Sequence, residues 1–215
     1  MRIAILSDTH SQHNLQHLPI KMPQCDLIIH AGDCTGNGSI AQTMAFLRWF
    51  EQFKTEKILV PGNHDWLFEE NLRLIKHETK HLKNLHILTH DSLELFGTKF
   101  FGTSYQPIFY DWAFNRSNAT RRILFDKIPE NTEVLITHVP PRGVLDTNSQ
   151  DERRGDLELS TKIKHLPKLN LHAFGHNHEG YGQMLKDNIL YVNGSVCNIH
   201  YVPVNPIQVI EYGSN

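Results

Sequence analysis

Strand-like and helix-like patterns that alternate early in the chain, followed by a hairpin-like pair mid-chain, predict an α/β protein. The strand candidates are short runs of branched apolar residues that stop at polar or turn residues, as strands buried on both faces do. Helical spacing between them supplies covering layers. The pattern fits either one mixed sheet or two packed sheets with helices outside.

In chain order, Ile3–Leu6 and Leu27–His30 are the first two strands. Ser39 can cap a helix carrying Ile40, Met44, Leu47 and Phe50 on one core-facing stripe. Ile58–Val60 is the next strand, and a second helix is expected from Trp66 to Ile75 on Leu67, Leu72 and Ile75. Leu93–Phe96 and Lys99–Phe101 flank Gly97-Thr98 as a two-residue hairpin. The segment Thr103–Arg122 holds Tyr105, Phe109, Tyr110, Trp112, Phe114 and Arg116; a long aromatic loop in a compact domain is often functional. Helices are expected at Asn118–Lys127 and Leu157–Leu166, and strands at Val134–Thr137, Leu171–Phe174, Ile189–Val192 and Ile207–Ile210. No repeat or linker divides the chain, so residues 1–215 are expected to form a single domain.

Composition narrows the classes. The formal net charge of −2 carries no basic bias of the kind duplex nucleic acid demands. Three cysteines, Cys25, Cys34 and Cys197, form neither a disulfide framework nor a zinc ribbon and read as reduced thiols. The apolar run Ile3–Leu6 is too short for a signal-peptide core or a membrane span, so a soluble cytoplasmic protein is expected. Histidine stands out at 15 residues, and imidazole is both a metal ligand and an acid/base group near neutral pH.

Position decides which histidines matter. Asp8-Thr9-His10 follows the first strand, where residues two apart in an extended chain project to one side and can hold one ion. Gly32-Asp33 follows the second, with Gly32 permitting a tight turn; His30 before it reads as a hydrogen-bonded core residue. Gly62-Asn63-His64-Asp65 sets a carbonyl ligand, a potential acid and a carboxylate in a row, although Asn and Asp also suit a turn or a helix cap. Thr137-His138-Val139-Pro140-Pro141 and Gly175-His176-Asn177-His178-Glu179-Gly180 each follow a strand. His13, His17, His77, His81, His86, His90, His165, His172 and His200 belong to no such pattern and read as surface or structural residues.

The ordered set of five segments, from Asp8 to His178, resembles the calcineurin-like metallophosphoesterase family. Gln106-Pro107, Trp112-Ala113-Phe114-Asn115, Val192-Asn193-Gly194-Ser195 and Tyr201 with Asn205-Pro206 resemble its metallophosphoesterase-domain-containing subgroup. Thr137 before His138 and Cys34 after Asp33 depart from the wider pattern without removing a ligand. The resemblance implies two mixed sheets packed together and flanked by helices. It implies one divalent ion among Asp8, His10, Asp33 and His178, and a second among Asp33, Asn63, His138 and His176, with Asp33 as the bridge. His64 would protonate the leaving oxygen, and Asp65 would orient it. Mixed nitrogen and oxygen donors favour Mn, Fe, Zn, Co or Ni, manganese among them.

The implied charges suit a phosphodiester. Two divalent cations, two carboxylates and a bridging hydroxide leave about one positive charge for a singly charged substrate. The expected activity is hydrolysis of small or nucleotide-like phosphodiesters, cyclic nucleotides included, by metal-activated hydroxide. A phosphomonoesterase, a nuclease or a non-catalytic docking scaffold are the alternatives. Trp112 or Phe114 is expected to rim the cleft and stack on a base, with Arg116 on a phosphate oxygen. Neither a membrane nor duplex nucleic acid is expected as a partner.

Overall fold

The computed structural model describes residues 1–14 and 21–213; His17 lies outside the described residues. In chain order the elements are β1 (Arg2–Leu6), β2 (Leu27–His30), α1 (Ile40–Glu51), β3 (Glu56–Leu59), α2 (Trp66–Glu70), α3 (Leu72–Glu78), β4 (Leu85–Ile87), β5 (His90–Leu95) and β6 (Thr98–Thr103). They continue with β7 (Gln106–Pro107), β8 (Asn115–Arg116), α4 (Asn118–Asp126), β9 (Val134–Thr137), α5 (Leu157–Ile163), β10 (Leu171–Phe174), β11 (Gly182–Lys186), β12 (Ile189–Asn193) and β13 (Gln208–Glu211).

Two mixed sheets result. One has the order β13-β1-β2-β3-β4, the other β11-β12-β10-β9-β6-β5. In each, four neighbouring strands run parallel, and antiparallel strands close the remaining edges. Alternation of side chains explains why the parallel strands read as continuous apolar runs. Ile3, Ile5, Leu27 and Ile29 meet Phe100, Val134, Ile136 and Ala173 between the sheets. Ala4, Leu6, Ile28 and Leu59 face the other way, onto Phe46, Phe50, Phe68 and Ile75 of the first helical layer. Leu135 and Phe174 turn outward onto Phe125, Leu159 and Ile163 of α4 and α5. The layers therefore run helix, sheet, sheet, helix. No described helix is long and apolar enough to cross a membrane.

The structure corrects three local expectations. Ser39 caps α1 by accepting from the Gln42 N–H, but Ile40 is 58 % exposed, and Phe46, Leu47, Trp49 and Phe50 form the core face. The hairpin turn is Phe96-Gly97, both left-handed, because Leu95 pairs with Thr98; the turn sits one residue earlier than the Gly-Thr pair implies. The helix expected over Trp66–Ile75 is broken at Asn71, which caps α3 by accepting from the Leu74 N–H. Strands β4 and β11 were not expected: β4 has three half-buried residues, of which Leu85 and Ile87 pack on the first core, and β11 is almost wholly exposed.

A buried ion pair joins α4 to α5. Arg121 grips Asp156 through Nε to Oδ2 at 2.8 Å and Nη2 to Oδ1 at 3.2 Å, with side chains only 3 % and 1 % exposed. Asp156 also caps α5 by accepting from the Glu158 N–H. Removing the guanidinium strands a buried carboxylate at a cost of about 3 kcal/mol or more. Arg121→Met should therefore lower Tm by about 10 °C. A thermal scan showing a loss under about 2 °C would mean that the pair is not a structural anchor.

Candidate metal centre

All five motif segments leave the carboxyl ends of parallel strands, so they meet at one edge of the two packed sheets. Asp8, Asp33 and Asn63 follow β1, β2 and β3 of the first sheet; His138 and His176 follow β9 and β10 of the second. A bridge between Ser7 and Ser195 laces the two sheets together at this edge.

Backbone shape, not strand alternation, brings the first pair together. Asp8 and His10 have φ of 54° and 40°, so the chain is not extended here and the same-side argument fails locally. Asp33 (φ 54°) and His176 (φ 67°) adopt the same left-handed form, which is rare for residues with a Cβ and concentrates at functional sites. Two glycines are dictated by close approach. A Cβ on Gly32 would come within 2.5 Å of His138 Nδ1, and one on Gly175 within 2.2 Å of Asp8 Oδ2.

The candidate ligands converge as two groups. In one, His178 Nε2 lies 3.3 Å from Asp8 Oδ1 and 3.3 Å from His10 Nε2. In the other, Asn63 Oδ1 lies 3.1 Å from His138 Nε2 and 2.9 Å from His176 Nδ1. Asp33 Oδ2 stands between them, 3.7 Å from His10 Nε2 and 3.2 Å from His138 Nε2. Its other oxygen accepts the His64 N–H at 2.9 Å, which leaves Oδ2 as the oxygen facing both groups.

Most of these spacings fit a cation, His10 to Asp33 Oδ2 at 3.7 Å being looser. Donors about 2.1 Å from one ion stand about 3.0–3.4 Å apart in octahedral or tetrahedral geometry. The imidazoles are also held in the right tautomers. His138 Nδ1 faces the Ala31 carbonyl and His178 Nδ1 the Asn198 carbonyl, each at 2.8 Å, which leaves Nε2 of both rings as an acceptor. Three Asp/His groupings of metal-holding geometry occur here among the described residues: Asp8–His10–His178, His10–Asp33–His64 and Asp8–Asp33–His138.

Electrostatics hold the pocket together in metal-free protein. Burial alone would raise the Asp8 and Asp33 pKa values, but facing histidines hold both carboxyls below their usual range, His178 chiefly at Asp8 and His138 chiefly at Asp33. The converse holds for His138. Burial disfavours its charge, yet Asp33 and Asp8 push it up to about 9. Burial wins at His10 and His176, which fall to about 4 and about 3.

His64 sits above the two groups with Nδ1 2.6 Å from the Gly36 carbonyl and Nε2 3.8 Å from Asp33 Oδ2. Asp65 does not touch the His64 ring. Its fully buried carboxylate accepts from the backbone of Cys34, Thr35 and Gly62, and from the Cys34 thiol and Thr35 hydroxyl, so it clamps the loop that carries Asp33. It is a loop anchor rather than the His64 partner that the residue order suggested.

The aromatic segment divides in the same way. Trp112 lines the cleft and lies tilted against the His64 ring, with centroids 4.1 Å apart and planes at 30°. Phe114 is buried in the first core cluster and Arg116 pairs with Glu69 at 2.9 Å, so neither lines the cleft. Phe114 was expected as the alternative to Trp112 at the rim and Arg116 on a phosphate oxygen; a left-handed Phe114 (φ 61°) turns its ring inward instead. The cleft, about 560 Å³, also presents Arg153, Arg154 and Tyr201. Tyr201 lies 4.6 Å edge-on to His10 and carried no signal beyond its place in the subgroup pattern. His30, by contrast, is fully buried, with Nε2 3.1 Å from the Thr9 hydroxyl, as a core histidine should be.

Two outcomes check this geometry. Asp33→Asn should release both metal ions and lower turnover by more than about 100-fold, beyond the cost of losing a supporting contact, whereas His10→Ala should retain one ion. Metal analysis finding two ions on the Asp33→Asn variant would exclude Asp33 as the bridge. In metal-free protein, NMR should find His138 titrating near pH 9, whereas His30 and His172, both lowered by burial to about 3, stay neutral. Because the folded His138 value exceeds the unfolded one, its proton stabilises the metal-free fold fully below about pH 6.5. That contribution fades as pH rises through about 9. A His138 titration below pH 7 would contradict the assignment.

Comparison with known proteins agrees with this layout. The calcineurin-like phosphoesterase family matches residues 1–180. Human metallophosphoesterase domain-containing protein 1 is 36 % identical over 98 % of this chain and 70 % of its own length, and the mouse protein matches equally. Among solved structures, TT1561 of Thermus thermophilus has a TM-score of 0.64 at 14 % identity, covering 89 % of this chain and 88 % of the other. A novel archaeal phosphodiesterase has a TM-score of 0.50 at 17 % identity, covering 99 % and 94 %. Both structures share the fold, and the family match spans all five motif segments: the chain belongs to the calcineurin-like phosphoesterase family and is a metal-dependent phosphoesterase.

Proposed function

We propose that the protein is a phosphodiesterase acting on small or nucleotide-like phosphodiesters with two divalent transition-metal ions. The observation that carries this reading is Asp33 Oδ2 standing between two groups of candidate ligands, His10 on one side and His138 on the other. The remaining donors favour a diester. Only Asp8 and Asp33 bring negative charge, while His10, Asn63, His138, His176 and His178 are neutral ligands, so two divalent ions with one hydroxide would leave about one positive charge for a singly charged phosphate. The archaeal phosphodiesterase of the same fold is consistent with that choice.

When bound, the ions supply charge to neutralise phosphoryl oxygens and to acidify water. The chain supplies positioning. His64 donates its Nδ1 proton to the Gly36 carbonyl, which aims Nε2 at the cleft to protonate the leaving oxygen. Trp112 covers the His64 ring and offers its exposed part to a base or aryl group. The apolar wall of Pro107, Ile108 and Phe109 beside it suits the non-reacting part of such a substrate.

With metals restored, a nitrophenyl diester should turn over faster than the matching monoester. The reverse order would make the protein a phosphomonoesterase, and preference for long single strands would make it a nuclease. His64→Gln should lower kcat by about 100-fold or more on diesters with poor leaving groups and far less with nitrophenolate, which needs no proton. Equal losses on both would remove His64 as the acid. Trp112→Ala should raise KM for nucleotide diesters about 5–100-fold while Trp112→Phe largely restores it. A uniform loss with a lower Tm would instead assign Trp112 to packing.

A further inference from the structure

A second groove, about 680 Å³, lies on the outer face of the second sheet and shares no lining residue with the metal cleft. Its floor is the edge of the third core cluster: Val144, Ile163, Leu166, Leu169, Ile189 and Tyr191 are all nearly buried yet line it. Leu157 stands at its lip, 61 % exposed. Small-molecule sites are concave, mostly apolar, roughly 300–1,000 Å³, and carry a few polar groups that fix orientation. The groove matches each part of that description.

Its polar groups are largely of one sign. Arg142 from the segment after β9, Lys164 at the end of α5 and Lys186 at the end of β11 all line it, against one acid, Asp187. The ion pairs on this helical face are made by Arg121 with Asp156 and Arg122 with Glu158. Among the described residues no carboxylate pairs with Arg142, Lys164 or Lys186. Three exposed cations therefore line an apolar trough with no carboxylate partner among the described residues.

We propose that this groove binds a single-chain fatty carboxylate, its chain on the Val144–Ile163–Leu169 floor and its head group at Arg142, Lys164 and Lys186. Apolar area accounts for the chain and charge complementarity for the head. A protein face would need a wider surface than this trough, and a neutral lipid would leave the cations unanswered.

Titration calorimetry of the full chain with dodecanoate below its micelle concentration, at about pH 8 where the acid is ionised, tests the proposal. One molecule should bind per chain, and dodecyltrimethylammonium and acetate should not, since one lacks the anion and the other the chain. Lys164→Glu/Lys186→Glu, both exposed positions, should weaken dodecanoate about tenfold or more while leaving Tm and diester turnover unchanged. Equal binding of the cationic amphiphile, or an unchanged Kd in the double variant, would overturn the proposal. So would binding to anionic vesicles without binding of free dodecanoate, or a dimer in sedimentation that the double variant dissolves. Those last two results would assign the groove to a membrane or to a second copy. None of the binding readouts passes through the metal centre, so failure here is separable from failure of the phosphodiesterase reading.

Discussion

Two carboxylates, Asp8 and Asp33, stay ionised in a seam where both are fully buried, and the architecture around them follows from that constraint. A lone buried carboxylate would take up a proton, because burial disfavours its charge. Here donors surround each one. Ser7 Oγ donates to Asp8 at 2.6 Å, the His176 N–H donates at 3.0 Å, and the His64 N–H donates to Asp33 at 2.9 Å. Without a metal, protonated His138 supplies the balancing charge at Asp33, and the raised His178 pKa adds to it at Asp8. Divalent cations would do the same more strongly and free those imidazoles as ligands.

That constraint reaches into the backbone. Asp8, His10 and Asp33 take left-handed backbone where the segments after β1 and β2 stay hydrogen-bonded side by side, the Asp8 N–H donating to Gly32 O at 2.8 Å and the His10 N–H to Asp33 O at 3.0 Å. Each such residue costs about 1–3 kcal/mol. The cost is borne by the two-sheet core, in which β1 and β2 are buried on both faces. Clearance is part of the same design. Gly32 and Gly175 let strands from opposite sheets approach closely enough for His138 and Asp8 to share one pocket. Asp65 completes the frame by tying the Asp33 loop to Gly62 ahead of Asn63.

Most parallel strands were legible in the sequence because burial on both faces writes an unbroken apolar run, as in Ile3–Leu6 and Val134–Thr137; half-buried β4 was not. The candidate ligands were legible because they directly follow those runs. What failed were inferences from adjacency. Asp65 follows His64 in sequence but turns its carboxylate away, toward Cys34 and Thr35. Asp8 and His10 meet through φ values that no alternation rule contains. Phe114 and Arg116 looked like rim residues by composition, yet Phe114 joins the first core and Arg116 is taken by Glu69 and stacks on Tyr105. Asn71 breaks a helix because its own side chain competes for the backbone, a choice the apolar spacing does not record. Residue order names the donors; tertiary packing decides which way they face.

The cleft wall is coupled to the candidate metal floor more tightly than a surface loop usually is. The Ala113 N–H donates to the backbone carbonyl of Asn63 at 3.1 Å, and the Phe114 N–H donates to the Glu69 carboxylate. Gln106 reaches across to Ala113 O at 3.1 Å, and β7 pairs with β8 to close the loop on itself. Phe114 then acts as a peg in the core, with Trp112 two residues before it left on the cleft side against His64. The ring available to stack on a substrate is thus fixed to the segment that carries Asn63 and His64. A displacement of one is transmitted to the other through hydrogen bonds and ring contact. Under the roles proposed for them, Trp112 and His64 would move as one mechanical unit, and a change in this loop should alter the alignment of His64 together with affinity.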